Sequence, residues 1–226
     1  VLLGESGTGK SVTMKIIGSL LEADSGSVSI DGTEMIGISE KKKKKAIQSV
    51  GFLFQHAGLF DHLNLVQNVA FKELYIDQQR GNANEVLKRA ESVLRGVDIP
   101  EAAFNLSPSE ISGGMQRRVS FARTLMKDPS LILLDEPTAG LDPIKSRKIS
   151  QIIKDARKRL NTTILTITHD LALTIAIADL IYILRDGRIV WKGDVESIFH
   201  SEDEYVRSFV SATQITLTKD GGGRIT

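Results

Sequence analysis

The chain has 226 residues, 41% hydrophobic and 25% charged, proportions of a folded globular protein rather than a disordered one. That length can bury one large core or a core with a subdomain, while a net charge of +1 supplies no global attraction to nucleic acid or acidic membranes. The absence of cysteine excludes disulfides, thiolate catalysis and cysteine zinc sites, and it suits a reducing compartment. His56, His62, His169 and His200 lack metal-ligand spacing, and no apolar run reaches the length of a membrane-spanning helix.

Three residues, Val1-Leu2-Leu3, stand before Gly4-Glu5-Ser6-Gly7-Thr8-Gly9-Lys10-Ser11, which satisfies G-x-x-x-x-G-K-[ST] at each fixed position. Glycines let successive backbone N–H groups turn inward as a concave anion site. Lys10 can reach outer phosphates, and the Ser11 hydroxyl can ligate Mg²⁺. Val12, Ile16, Ile17, Leu20 and Leu21 then follow helical spacing, which predicts a helix whose N-terminal dipole adds to the site. A phosphate loop follows a strand, so the chain is read as lacking its first strands.

Residues 25–32 alternate like a strand and close on Asp31-Gly32, a turn signal. Residues 41–45 are five consecutive lysines, either a solvated helix face or a contact for acidic lipid headgroups or a partner. No aromatics interleave with them, which speaks against nucleic acid. Val50-Gly51-Phe52-Leu53-Phe54 predicts a buried strand ending at Gln55. From about residue 64 to 127 the period becomes helical, with Val86, Leu87, Ala90, Val93, Leu94 and Val97 on one face. Strands resume afterwards, so this block is an insertion rather than a separate domain. Ser112-Gly113-Gly114 precedes a helix.

Leu131-Ile132-Leu133-Leu134 predicts a strand buried on both faces, ending in Asp135-Glu136. A helix carries Ile149, Ile152, Ile153, Ala156 and Leu160, and residues 162–168 form a strand ending at His169. Residues 180–184 and 188–192 predict two last strands joined through Asp186-Gly187. The polar stretch 213–226 is expected to be a loosely ordered tail.

The adjacent carboxylates can divide labour: Asp135 can join a Mg²⁺ shell, and Glu136 can polarise a water for in-line attack on a γ-phosphate. A lone histidine is most often structural, but the strand before His169 would deliver it to the sheet edge of the phosphate loop. Gln55, also at a strand end, can complete the Mg²⁺ or water shell. The glycines of residues 112–114 make a second anion site at a helix start. One nucleotide does not need two such sites from one chain, which implies a head-to-tail pair sandwiching two nucleotides.

These motifs together resemble the nucleotide-binding subunit of an ATP-binding cassette (ABC) transporter from Gly4 to about Gly193. Residues 4–11 resemble Walker A, Gln55 the Q-loop, and Ile111-Ser112-Gly113-Gly114-Met115 the signature. Asp135 and Glu136 resemble Walker B and its catalytic glutamate, Ala139-Gly140-Leu141-Asp142 the D-loop, and His169 the switch histidine. Ile111, Met115 and Gly140 depart from the usual Leu, Gln and Ser without removing a catalytic group.

The resemblance implies an α/β P-loop NTPase fold: a mixed, mainly parallel sheet, a helical signature subdomain and a partial antiparallel β subdomain. It implies a single domain over 1–212, with core at 1–63 and 128–212 and helical subdomain at 64–127. ATP and Mg²⁺ are the implied cofactors. Residues 4–11, Val12, Ser112, Gly113, Gly114 and Asp142 would bind nucleotide, Ser11, Gln55 and Asp135 the metal, while Glu136, His169 and Gln55 would serve catalysis. The family's adenine-stacking aromatic lies upstream of Val1. Partners implied are a second ATPase subunit and a membrane permease docking on residues 55–71, with no nucleic acid.

Phe54-Gln55-His56-Ala57-Gly58-Leu59-Phe60, Asn64-Leu65, Asn68-Val69-Ala70, Ser112-Gly113-Gly114-Met115, Arg117-Arg118 and Tyr205-Val206-Arg207-Ser208-Phe209 are similar to the Mla-type ATPases. Those serve lipid transporters containing mammalian-cell-entry-type lipid-binding proteins, including the plastid lipid importer. That likeness implies phospholipid cargo and a place on the cytoplasmic face of the inner or plasma membrane, or the stromal face of the plastid inner envelope. A polar-solute importer, a soluble non-transport ABC protein and an inactive interaction module remain alternatives.

Overall fold

The structure is a computed structural model that describes residues 1–55, 57–77 and 82–219, with side chains described as far as 212. In chain order the first elements are β1 (Leu2–Leu3), α1 (Lys10–Ile17), β2 (Ser29–Ile30), β3 (Thr33–Glu34), α2 (Glu40–Ile47) and β4 (Val50–Leu53). Then come α3 (Leu65–Val69), a π-helical turn (Lys72–Ile76), α4 (Ala83–Gly96) and α5 (Gly113–Leu125). The chain continues through β5 (Leu131–Asp135), α6 (Pro143–Leu160), β6 (Thr163–Thr168) and α7 (Leu171–Ile177). It ends with β7 (Ile181–Arg185), β8 (Arg188–Gly193), α8 (Val195–Phe199) and α9 (Glu204–Lys219).

By packing, the chain divides into two compact units, Val1–Ser11 with Ile167–Thr226, and Val12–Thr166. In the first, β1 pairs in parallel with β6, placing Leu3 opposite Thr168, and with β7, placing Leu3 opposite Ile183. β7 turns back antiparallel into β8 through Asp186 and Gly187, both at positive φ (46° and 72°), the geometry a tight hairpin demands. Leu3, Leu171, Ile181, Ile183, Ile198, Val206 and Val210 form this unit's core.

In the second unit β4 and β5 run parallel with Leu53 opposite Leu134, and β5 lies between β4 and β6. Ile132, Leu133 and Leu134 are fully buried, as the unbroken apolar run predicts for a strand covered on both faces. The expected β subdomain is a two-stranded hairpin of β2 and β3. Glu34 Oε1 anchors it by accepting from the N–H groups of Val28, Met35 and Ile36, each at 3.0 Å.

The helical block lies wholly within the second unit. α4 buries Val86, Ala90 and Leu94, one stripe of the predicted face, and α3, α4 and α5 pack on one another. α3 starts on a reciprocal cap, with Asn64 Oδ1 accepting from Gln67 N and Gln67 Oε1 accepting from Asn64 N.

Two expectations need correction. The first helix ends at Ile17, because Ser19 turns left-handed (φ 54°) and Leu20 N closes on Lys15 O at 2.7 Å. Leu20 and Leu21 therefore lie beyond it and are exposed, as is Val12, while the helix buries Met14. At the other end, α9 runs on to Lys219 where a loose tail is predicted from residue 213. Extending a nucleated helix needs far less intrinsic propensity than starting one. The rest of that tail, 220–226, lies outside the described residues, as does His56.

Candidate functional site

In the first unit, the phosphate loop leaves the C-terminal end of β1 and feeds α1. Gly7 (φ 84°) and Gly9 (φ 101°) hold left-handed backbone that side chains resist, which lets the loop curl. Lys10 lies beneath it at 7% exposure, its Nζ donating 2.8 Å bonds to the carbonyls of both Gly4 and Glu5. Thr8 Oγ1 donates to Glu5 O at 2.9 Å and completes the curl. Glu5, Ser6, Gly7 and Ser11 face outward. The result is an exposed ring of backbone around a buried ammonium, suited to phosphate.

His169 leaves the neighbouring strand at the same end, and Gly4 N donates to Thr168 O at 3.3 Å. Its own base is fixed. Asp170 caps α7 by accepting from Leu173 N at 3.1 Å, and Asp170 N donates to Thr168 Oγ1 at 3.0 Å. His169 itself is exposed. Parallel pairing thus puts the phosphate loop and the histidine side by side in this unit.

In the second unit, Gln55 and the pair Asp135-Glu136 leave the ends of the adjacent parallel strands β4 and β5. Glu136 sits at φ 47°, a left-handed backbone that turns the chain sharply away at the end of β5. Its carbonyl accepts from Ala139 N at 3.1 Å, closing a turn that leads to α6. Asp142 opens α6 as its N-cap, accepting from Lys145 N at 2.9 Å and pairing with Lys145 Nζ at 2.7 Å. The Lys145 hydrogen bonds hold the Asp142 carboxyl below its ordinary range. Its oxygens therefore have a structural duty of their own.

Ser112 caps α5, its Oγ accepting from Met115 N at 3.3 Å. Ser112 and Gly113 are exposed, whereas Gly114 is buried, and a Cβ there would come 3.0 Å from Lys145 Cδ. The start of α5 thus presents N–H groups to whatever docks on it, as an anion site would.

Sequence reasoning missed what holds the Gln55 segment. Arg117 Nη1 donates to Phe54 O (3.2 Å) and to Gln55 O, and Ser120 Oγ donates to Ala57 O (2.8 Å). Arg123 donates to Gly58 O (2.8 Å) and Ala57 O (3.0 Å), and Thr124 Oγ1 to Phe52 O (2.8 Å). Burial pushes the guanidinium pKa of both Arg117 and Arg123 down, opposed at Arg117 by the Asp135 carboxylate. The signal available was polar residues at 117, 120 and 124, three and four apart on one helix face.

Further along, Asn68 is fully buried and organises the turn before α3. Its Nδ2 donates to Phe60 O (3.0 Å), Leu63 O (3.0 Å) and Asn64 O (3.1 Å), and its Oδ1 accepts from Phe60 N (2.7 Å). Phe60 stacks on Phe71 at 4.1 Å between ring centres. A cleft of about 200 Å³ borders this cluster, lined by residues including Phe52, Phe71, Glu73, Arg123 and Lys127. Among the described residues no cluster of three or more His, Asp or Glu could hold a metal by itself.

The sequence profile described as ABC transporter matches residues 1–139. The chain belongs to the ABC transporter family. Curated family members align over nearly all of it. The probable ribonucleotide transport ATP-binding protein mkl of Mycobacterium bovis is 36% identical over 95% of this chain and 59% of its own length. The methionine import ATP-binding protein MetN of Rhizobium johnstonii is 35% identical over 99% of this chain and 61% of its own. The glycine betaine/carnitine/choline transport ATP-binding protein OpuCA of Bacillus subtilis is 35% identical over 96% and 56%.

The chain therefore spans only about three-fifths of these curated relatives. Among solved ABC structures, the dimeric post-hydrolysis cassette MJ0796 bound to ADP and Pi superposes with TM-score 0.76 at 31% identity, covering 86% of this chain and 84% of that one. The cbiO1 subunit of Clostridium perfringens superposes with TM-score 0.80 at 26% identity, over 97% and 86%. The fold is the α/β P-loop ABC ATPase fold with a mainly parallel central sheet.

Proposed function

We propose that this chain is the ATP-hydrolysing part of an ABC transporter and works as a head-to-tail pair. The observation that carries the reading is the exposed phosphate loop curled over buried Lys10, with His169 beside it on the neighbouring strand. Family membership and the likeness to a dimeric cassette holding ADP and Pi support it. In this reading residues 4–11 and Val12 bind the nucleotide, and Ser112, Gly113 and Gly114 cover the γ-phosphate held by the other copy. Asp142 helps to position that interface from its cap.

In this reading Ser11, Gln55 and Asp135 would each offer an oxygen of the kind that Mg²⁺, a hard cation, takes and shares with phosphate. When bound it neutralises charge on the phosphates. Glu136 orients and deprotonates the attacking water, and His169 donates to the γ-phosphate. Gln55 completes the shell from a backbone held by α5. Catalysis then rests on position and charge, with no covalent intermediate.

The permease docks on residues 55–71, where the Phe60–Phe71 stack and the bordering cleft offer an aromatic floor. No helix of the described residues is long and apolar enough to cross a membrane. In this reading the permease is what brings the chain to the bilayer. The cargo reading is phospholipid, with a mammalian-cell-entry-type lipid-binding protein as a further partner, and it rests on residues 54–60, 64–65, 68–70, 112–115, 117–118 and 205–209. The membrane face is the cytoplasmic side, or the stromal side in a plastid. Relatives named for methionine and choline-type transport favour a second reading, a polar-solute importer. Mass spectrometry of lipids co-purifying with the intact transporter separates the two. Bound phospholipid that turns over with ATP is expected, and a lipid-free complex that transports a polar solute refutes the lipid reading.

A further inference from the structure

Arg117 stands one turn into α5, about 7.5 Å along the axis from the Ser112 cap at a rise of roughly 1.5 Å per residue. It is 9% exposed, and its planar fork ends on two different strand-end segments. Nη1 donates to Phe54 O at 3.2 Å and to Gln55 O, while Nη2 donates to Ala139 O at 3.2 Å. Ala139 closes the turn that begins at left-handed Glu136, and the Asp135 carboxylate lies near enough to favour the guanidinium charge. Ser120, Arg123 and Thr124 hold only the segment after β4 and its last strand residues. The guanidinium of Arg117 reaches both segments.

We propose that Arg117 is a positioning residue that sets the backbone of Gln55 against the Glu136 turn and ties both to the start of α5. The proposal rests on the ATPase reading above. Its consequence is directional. Ser112, Gly113 and Gly114 lead straight into the helix that carries Arg117, so a shift of α5 on docking with another copy moves the carbonyls of Gln55 and Ala139 together. Arg117 touches no reacting atom. A lysine keeps the charge and most of the stem, but a single ammonium cannot reproduce a fork that spans two segments.

Arg117→Lys and Arg117→Met in the full-length protein test this, each compared with wild type for melting temperature, ATP affinity and turnover. Misplacing reacting groups by about 1 Å costs on the order of 100-fold, so a kcat loss of roughly 10- to 100-fold is expected in both. ATP affinity, set by the phosphate loop, should change less than about threefold, and the Lys variant should melt near the wild-type temperature. Wild-type turnover in the Lys variant overturns the proposal. So does a turnover loss matched by an equal loss of ATP affinity, which marks a brace for the whole fold. If Met fails to fold, the Lys variant still decides. A wild-type protein that binds ATP without hydrolysing it refutes the ATPase reading instead, and removes the reaction that Arg117 is proposed to serve.

Discussion

Replacing Glu73 with leucine should make this protein more stable. Glu73 lies on the π-helical turn at 6% exposure, and among the described residues neither carboxylate oxygen has a hydrogen-bond partner. Burial pushes its pKa up from 4.5 and Asp77 adds to the rise, against the opposing pull of its own backbone N–H, Lys127 and Lys72. An unsatisfied buried polar group costs about 1–3 kcal/mol, and leucine fills similar volume without that cost. At about 2–4 °C per kcal/mol for a chain of this size, Glu73→Leu should melt roughly 2–12 °C higher near neutral pH. The sign with pH follows from linkage. The folded state holds the Glu73 proton more tightly than the unfolded chain does, so wild-type stability falls as pH rises through and above 4.5. The leucine variant lacks that loss, and its advantage should widen between about pH 4.5 and 7.5. Differential scanning calorimetry at both pH values measures it. A variant that melts lower than wild type, or an advantage independent of pH, refutes the reasoning.

Gly4→Ala places a Cβ 2.5 Å from Leu184 O, a backbone atom that cannot swing aside, so a loss of about 1–3 kcal/mol and a lower melting temperature are expected. Asn68→Ala takes the acceptor from the N–H of Phe60 and one donor from each of three carbonyls, of which Phe60 O keeps Leu63 N and Asn64 O keeps the backbone N–H of residue 68, and should cost about 1–3 kcal/mol by chemical denaturation. Its effect should be insensitive to pH between about 5 and 9, since no titrating group is removed.

The strands β4 and β5 were legible because parallel strands buried on both faces leave apolar runs, β6 because its β-branched Thr and Ile residues favour extended backbone, and the β7–β8 turn because Asp-Gly marks a tight hairpin. The placement of the phosphate loop, Gln55, Glu136 and His169 just past strand ends was legible because each strand announces itself in the residues before it. Two kinds of feature were not. Ser19 turns left-handed and cuts α1 short, a choice made by local backbone energetics that no apolar spacing announces. The four α5 side chains that hold Phe52, Phe54, Gln55, Ala57 and Gly58 read as ordinary polar positions, because their partners are carbonyls and carbonyls have no sequence. Asp142 reads as a site residue in sequence, and the fold gives it the capping of α6 as well.

Glu136 carries the central claim, and Glu136→Gln in the full-length protein tests it most directly. The amide keeps the shape and the left-handed turn but cannot take a proton from water. Turnover should fall by roughly 100-fold or more while ATP affinity is kept, and the ATP-bound pair should accumulate as a dimer in size-exclusion chromatography. Wild-type turnover in this variant, with no ATP-dependent dimer, would contradict the account.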